Sequence, residues 1–225
     1  MMKSIYDKMW TDAFKKIKDN ELDPDPLIDN PNDSRRGITL QAKPEREILE
    51  NISIFLKEAQ NIEPGQYYYL PDEVHITVMS IINCKTGFNL SEINLPDYIE
   101  CIEKSINNIK PFIVEFIGIT ASPSCILIQG FPDNDLLEHM RNRLRAEFAK
   151  GDIYNSIDAR YEIKTAHCTV MRFKKELEDK QKFIGLLENY RNYNFGKSYI
   201  NELKLVYTDW YHKNDNVQML HKFTF

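Results

Sequence analysis

Two five-residue stretches nearly repeat one another: His75-Ile76-Thr77-Val78-Met79 and His167-Cys168-Thr169-Val170-Met171. On a β-strand, side chains at i and i+2 share a face and lie about 7 Å apart. His75 then stands beside Thr77 and His167 beside Thr169, while Ile76, Val78, Cys168 and Val170 turn into the packing behind. By the same alternation Met79 and Met171 fall on the histidine side, with no chemistry evident for them. Two such strands facing each other gather two imidazoles and two hydroxyls around one small volume. That inventory suits cleavage of a phosphodiester. Imidazole titrates near about pH 6.5, so one ring can take a proton from attacking water while the other, protonated, gives one to the leaving oxygen. Threonine hydroxyls can donate to the non-bridging oxygens as charge shifts onto them. No metal or other cofactor is required, and neither histidine has a His-Glu-x-x-His run or an Asp-rich cluster beside it. A lone His-x-Thr is more often a structural histidine. Two, with matching Val-Met tails, favour function.

The elements that must position these residues read as an α+β chain. Ile5, Met9, Ala13, Phe14 and Ile17 have helical spacing, and a Pro-, Asp- and Asn-rich connection follows. Residues 1–36 are therefore expected to be an N-terminal helical extension and linker, packed on a single bilobal domain over 37–225. That domain opens with the strand GITLQAK and a helix with Pro44 in its first turn, burying Ile48, Ile52, Phe55 and Ala59. QYYYL and EVHITVMSII follow as strands, then a helix with Tyr98, Ile99, Ile102, Ile106 and Ile109 on one face. FIVEFIGIT and CILIQGF read as a hairpin, residues 135–150 as a helix, and YEIKTAHCTVMRF as the second motif strand. A helix over ELEDKQKFIGLLENY and two strands, INELKLVYTDW and QMLHKFTF, close the chain. The order of strand, helix, His-x-Thr strand and helix recurs. It predicts a duplicated two-lobed fold, with antiparallel sheets facing a central cleft and helices packed outside.

At 225 residues and 42% apolar, the chain can bury a real core. No run approaches the roughly 18 apolar residues of a membrane span, and the N-terminus lacks the apolar stretch of a signal peptide, so a cytoplasmic protein is expected. Cys84, Cys101, Cys125 and Cys168 show no C-x-x-C pairing, which points to reduced, mostly buried thiols. A net charge of −5 offers no overall footprint for long nucleic acid, so an anionic ligand should be small or held locally. The basic run Arg141 to Lys150 reads as a solvated helix face.

With both motifs in place, the sequence resembles the 2H phosphoesterase superfamily, named for two His-x-Thr/Ser motifs, one in each lobe of a duplicated α+β fold; it includes the 2'-5' RNA ligase-like proteins and cyclic phosphodiesterases. HITV and HCTV match the motif fully, and the order of elements matches from about Gly37 to Phe225. The resemblance implies a hydrolase, a metal-independent phosphodiesterase acting on a cyclic phosphate or a 2'-5'/3'-5' linkage of a nucleotide or RNA end. His75 and His167 would be its acid and base, and Thr77 and Thr169 its phosphate clamps. From the sequence itself, no cofactor, no membrane and no obligate protein partner are expected, and the chain is expected to be a monomer. The competing expectations are a nucleotide- or RNA-binding protein that retains the cleft without turnover, and a metal-dependent hydrolase.

Tyr69 and Tyr161 each stand six positions before their histidine and are candidates to stack on a substrate base, although Pro71 breaks the parity of the first. Arg35 and Arg36 read as solvated loop arginines rather than phosphate ligands. Trp210 and Tyr211 read as covers for the sheet end, and His139, His212 and His221 fall outside the site.

Overall fold

A computed structural model describes residues 2–225. The helical periodicities become α1 (Met2–Asp19), α2 (Arg46–Ile62), α3 (Leu95–Ile106), α4 (Leu136–Phe148) and α5 (Lys180–Tyr190). α2 buries Ile48, Ile52, Phe55 and Ala59 as the spacing predicts, and α3 buries Tyr98, Ile102 and Ile106. Pro44 lies just ahead of α2 rather than in its first turn, with Glu45 at the capping position. Phe55 shows how the helices are fixed: fully buried, its ring lies 4.8 Å from Tyr190 and 6.4 Å from Phe195. Truncation to alanine there would cost about 3–5 kcal/mol through the cavity left behind.

The strands are β1 (Arg35–Ala42), β2 (Tyr67–Tyr68), β3 (Ile76–Thr86), β4 (Phe112–Ser122), β5 (Cys125–Pro132), β6 (Cys168–Arg172), β7 (Asn194–Ile200), β8 (Glu202–Thr208) and β9 (Gln218–Thr224). They form one antiparallel sheet in the order β7-β4-β5-β6-β3-β1-β8-β9, with β2 paired to β6. The two expected lobes are its two halves, β7-β4-β5-β6 and β3-β1-β8-β9. They join between the motif strands, where β3 and β6 pair at one position, Ile76 opposite Cys168.

Both motif strands carry a bulge at the same letter. On β3, Thr77 lies opposite Gln41 and Met79 opposite Leu40, which leaves Val78 as the extra residue. On β6, Thr169 lies opposite Leu127 and Met171 opposite Ile126, which leaves Val170. A bulge sets two consecutive side chains on nearly the same side. Val78 with Met79, and Val170 with Met171, are accordingly all buried. This corrects the placement of Met79 and Met171 on the histidine side: simple alternation fails at the bulge.

Three further differences from the sequence reading have local causes. β7 is additional; its Asn, Gly and Lys hide the strand, and Gly196 has φ +111°. β2 is cut to two residues because a turn begins ahead of Pro71. The second motif strand is also short, since residues 161–167 run unpaired into Cys168. Two of their buried backbone groups are satisfied by side chains instead: Ala166 N–H donates to the Tyr6 hydroxyl, and the Thr165 carbonyl accepts from Arg141. Tyr6 belongs to α1, which packs against β4 and buries Tyr6, Ala13 and Ile17. Among the described residues no helix is long and apolar enough to cross a membrane, and all four cysteines are unpaired.

Candidate active site

The seam between the sheet halves opens into a cavity of about 140 Å³. His75, Thr77, His167, Thr169, Tyr69 and Tyr161 all line it. The sequence therefore named six residues that the fold brings to one place. Thr77 and Thr169 come from matching points of β3 and β6, one residue before each bulge. His75 and His167 sit one residue ahead of those strands.

Each imidazole is oriented through Nδ1. That of His75 lies 2.7 Å from the Glu73 carbonyl oxygen. A carbonyl only accepts, so Nδ1 carries the proton and the neutral ring keeps its lone pair on Nε2. The Nδ1 of His167 lies 2.7 Å from the Thr165 hydroxyl. A hydroxyl can donate or accept, so this ring is free to take either tautomer. Burial lowers the pKa of His75 to about 4; the Lys43 and Arg172 charges add to the fall, and the Glu73 bond opposes it. His167 is likewise lowered to about 4 by burial, then by Arg141, His75 and Arg172. Both rings are therefore neutral at pH 7, and an anion held beside them would raise both pKa values.

Behind the seam, Arg141 corrects the view of its helix face as solvated. It is 3% exposed. Nε donates to the Val78 carbonyl at 2.9 Å, and Nη2 donates to the carbonyls of Thr77 and Thr165 at 2.8 Å each. One guanidinium thus takes up a bulge carbonyl and ties the first motif strand to the segment that leads into the second. Tyr6 does similar work from α1: its hydroxyl accepts from Ala166 N–H at 3.2 Å and donates to the Gly130 carbonyl at 3.1 Å. Gly130 has to be glycine, because a Cβ there would overlap the Ala166 carbonyl.

His212 is the second correction. It lines the cavity, and its ring centroid lies 3.9 Å from that of His75 at an angle of 33°. Its backbone is left-handed, with φ +58°. Asp209 imposes this by accepting from the backbone N–H groups of Tyr211 and Lys213 at 3.0 and 3.1 Å. The Nδ1 of His212 is buried without a partner, and burial, with His75 next, keeps the ring neutral. A histidine at a loop tip carries no periodic signal, so sequence alone could not place it.

Trp210 also lines the cavity, contrary to its reading as a cover for the sheet end, while Tyr211 is buried. Arg160 stacks 4.1 Å over the Trp210 ring. Arg172 lies 5.9 Å from Trp210 and donates from Nε to the Tyr69 hydroxyl at 2.8 Å. Tyr69 is buried in the wall, whereas Tyr161 is 62% exposed at the rim. Arg35 does not enter the cleft and is not solvated: Asp25 and Asp33 hold it at 3.0 and 2.8 Å, and it donates to the Tyr211 hydroxyl. Arg36 bonds to the Asp33 and Arg35 carbonyls. Among the described residues no group of three or more His, Cys, Asp or Glu side chains is arranged to hold a metal ion.

No family model and no curated protein matches the chain. Solved structures do. TT0787 of Thermus thermophilus matches with a TM-score of 0.58 and 16% identity, over 84% of this chain and 97% of that one. E. coli LigT complexed with 3'-AMP matches with a TM-score of 0.58 and 12% identity, over 84% and 98%. A protein described as a phosphoesterase matches with a TM-score of 0.52 and 12% identity, again over 84% and 98%. At these identities the likeness is one of fold, and the fold of this chain is theirs.

Proposed function

We propose that the chain is a metal-independent phosphodiesterase of the 2H phosphoesterase superfamily, hydrolysing a cyclic phosphate or a 2'-5' or 3'-5' diester on a nucleotide or RNA end. The observation that carries this is the convergence of both His-x-Thr pairs on one cavity, with each Nδ1 turned to a fixed partner. Fold likeness to a phosphoesterase, and to LigT bound to 3'-AMP, ATP and NADP+, supports a substrate of nucleotide type.

In this reading the phosphate sits between the two strands, and the Thr77 and Thr169 hydroxyls donate to its non-bridging oxygens. His75, with its lone pair on Nε2, takes a proton from water as the water oxygen bonds to phosphorus. His167, charged once the anion is bound, gives its Nε2 proton to the leaving alkoxide. The bond from phosphorus to the ester oxygen breaks, the products are a phosphomonoester and an alcohol, and solvent restores both imidazoles.

The test is turnover of 2',3'-cyclic nucleotides, cyclic-phosphate RNA ends and 2'-5' oligoadenylate, with and without EDTA. His75→Ala and His167→Ala are run in parallel. Turnover that resists EDTA and is lost in both variants is expected. Turnover surviving in both would overturn the assignment, and binding without turnover would make the chain a nucleotide-binding protein.

A further inference from the structure

We propose that Thr165 is the positioning residue that makes His167 the acid of the pair: its hydroxyl donates to Nδ1 while the ring is neutral, which places the ring proton on Nε2, and turns to accept from Nδ1–H when the ring is charged. The proposal rests on the phosphodiesterase reading and adds what divides the labour between two otherwise equal histidines.

Burial lowers both imidazoles to about 4, so titration does not tell the base from the acid. The residue two positions ahead of each histidine does. Ahead of His75, the Glu73 carboxylate accepts from the Tyr67 hydroxyl and from the backbone N–H groups of Leu70 and Asn214 at 3.2, 2.9 and 3.1 Å. The Glu73 carbonyl is left for the ring. Ahead of His167 the equivalent carbonyl is already taken, because that of Thr165 accepts from Arg141 at 2.8 Å. Only the side chain at 165 remains to serve Nδ1, and threonine supplies a hydroxyl at 2.7 Å. The guanidinium that braces the seam therefore turns a backbone partner into a side-chain partner.

Geometry at Nδ1 admits either tautomer, and the surroundings of the hydroxyl select one. Thr165 is buried, and among the described residues its hydroxyl has no partner but His167. If Nδ1–H donated to that oxygen in the neutral ring, the hydroxyl hydrogen would be left without an acceptor. With the hydroxyl donating, its hydrogen is used and Nε2 bears the ring proton. The charged ring needs an acceptor at Nδ1, and the same oxygen offers a lone pair. Arg141 from α4, His75 at the start of β3 and Arg172 from β6 all oppose that charge. A partner that can bond the cation counters them. His75 has no such choice, since a carbonyl keeps its Nδ1 protonated in both states. Two neutral rings thus present opposite polarities at Nε2: a lone pair for water and an N–H for the ester oxygen.

Imidazole nitrogen NMR at neutral pH tests this in the free protein, without turnover. His75 is expected as the Nδ1–H tautomer and His167 as the Nε2–H tautomer. Thr165→Val keeps the shape of the side chain and removes its hydroxyl. In that variant His167 becomes a mixture of tautomers, His75 is unchanged, and kcat falls about tenfold or more, the worth of one bond to a charged group. Thr165→Ser restores the single tautomer and most of kcat. The same tautomer on both rings of the wild type overturns the proposal and leaves the phosphodiesterase reading standing. So does a Thr165→Val variant whose His167 tautomer or kcat equals that of the wild type. Opposite tautomers in a protein that turns over none of the diesters overturn the phosphodiesterase reading, and the catalytic role of Thr165 with it.

Discussion

Arg141 donates to the Thr165 carbonyl at 2.8 Å, and the hydroxyl of that threonine lies 2.7 Å from the Nδ1 of His167. A buried cation in one helix is thus two bonds from an imidazole in the cleft. Replacing it with methionine strands three buried carbonyls, each costing about 1–3 kcal/mol when unpaired. Arg141→Met is expected to unfold at lower urea, and Arg141→Lys to recover part of the loss. By removing a positive charge, Arg141→Met also raises the His167 pKa, which NMR titration reads directly. An unchanged His167 titration would contradict the electrostatic half of this account.

Stability should depend on pH in a set direction. The folded pKa values of His75 and His167 lie near 4, below the ordinary 6.5. Between those values the unfolded chain binds protons that the folded one does not, so stability is full above about pH 6.5 and falls as pH drops towards 4. A shift of that size bounds the loss at about 3 kcal/mol per ring. Urea midpoints measured from pH 7 to pH 4 should fall steeply in the wild type and less steeply in a His75→Gln/His167→Gln variant.

Among the cleft residues, His75→Ala and His167→Ala should each lower kcat about 10²- to 10⁴-fold, as expected for loss of a general acid or base. Thr77→Val and Thr169→Val keep the shape and remove a donor; removal of a comparable donor costs about 10²- to 10³-fold. The kcat/KM profile should be bell-shaped. A Thr→Val variant with unaltered kcat would remove that residue from the phosphate.

His212 separates backbone from side chain. Asparagine tolerates the left-handed conformation and valine does not, so His212→Val should be less stable than His212→Asn by about 1–3 kcal/mol. Both lose the ring stacked on His75, so both should turn over more slowly than the wild type. Thermal melts and steady-state kinetics on the same samples give the two readings, and equal melting of the variants would deny the backbone argument.

Tyr6→Phe removes the hydroxyl shared by Gly130 and Ala166 and should cost about 1–3 kcal/mol. Faster amide exchange at Ala166 should accompany it. Exchange at that amide equal to wild type would show that α1 does not hold the segment leading to His167.

The sequence carried much of this because helices obey a period that burial enforces, and because His-x-Thr written twice is legible in any fold. What it hid has physical causes. The bulges at Val78 and Val170 shift parity without altering composition, so Met79 and Met171 look cleft-facing and Arg172 does not. Arg141 sits in a basic helical run, and only the carbonyls at the seam distinguish it from Arg143 and Arg145, which bind groups elsewhere. His212 and Trp210 belong to a turn, and they reach the cleft by tertiary folding alone.

The seam also has a temporal consequence. The halves meet through one backbone pair, and the contacts that fix them span great lengths of chain: 160 residues between Tyr6 and Ala166, and 64 between Thr77 and Arg141. Contacts across such distances close large loops and form slowly. As the chain leaves the ribosome, the first His-x-Thr emerges well before the arginine that braces it, and well before the histidine that stacks on it. The cleft is therefore among the last parts of the molecule to acquire its working shape.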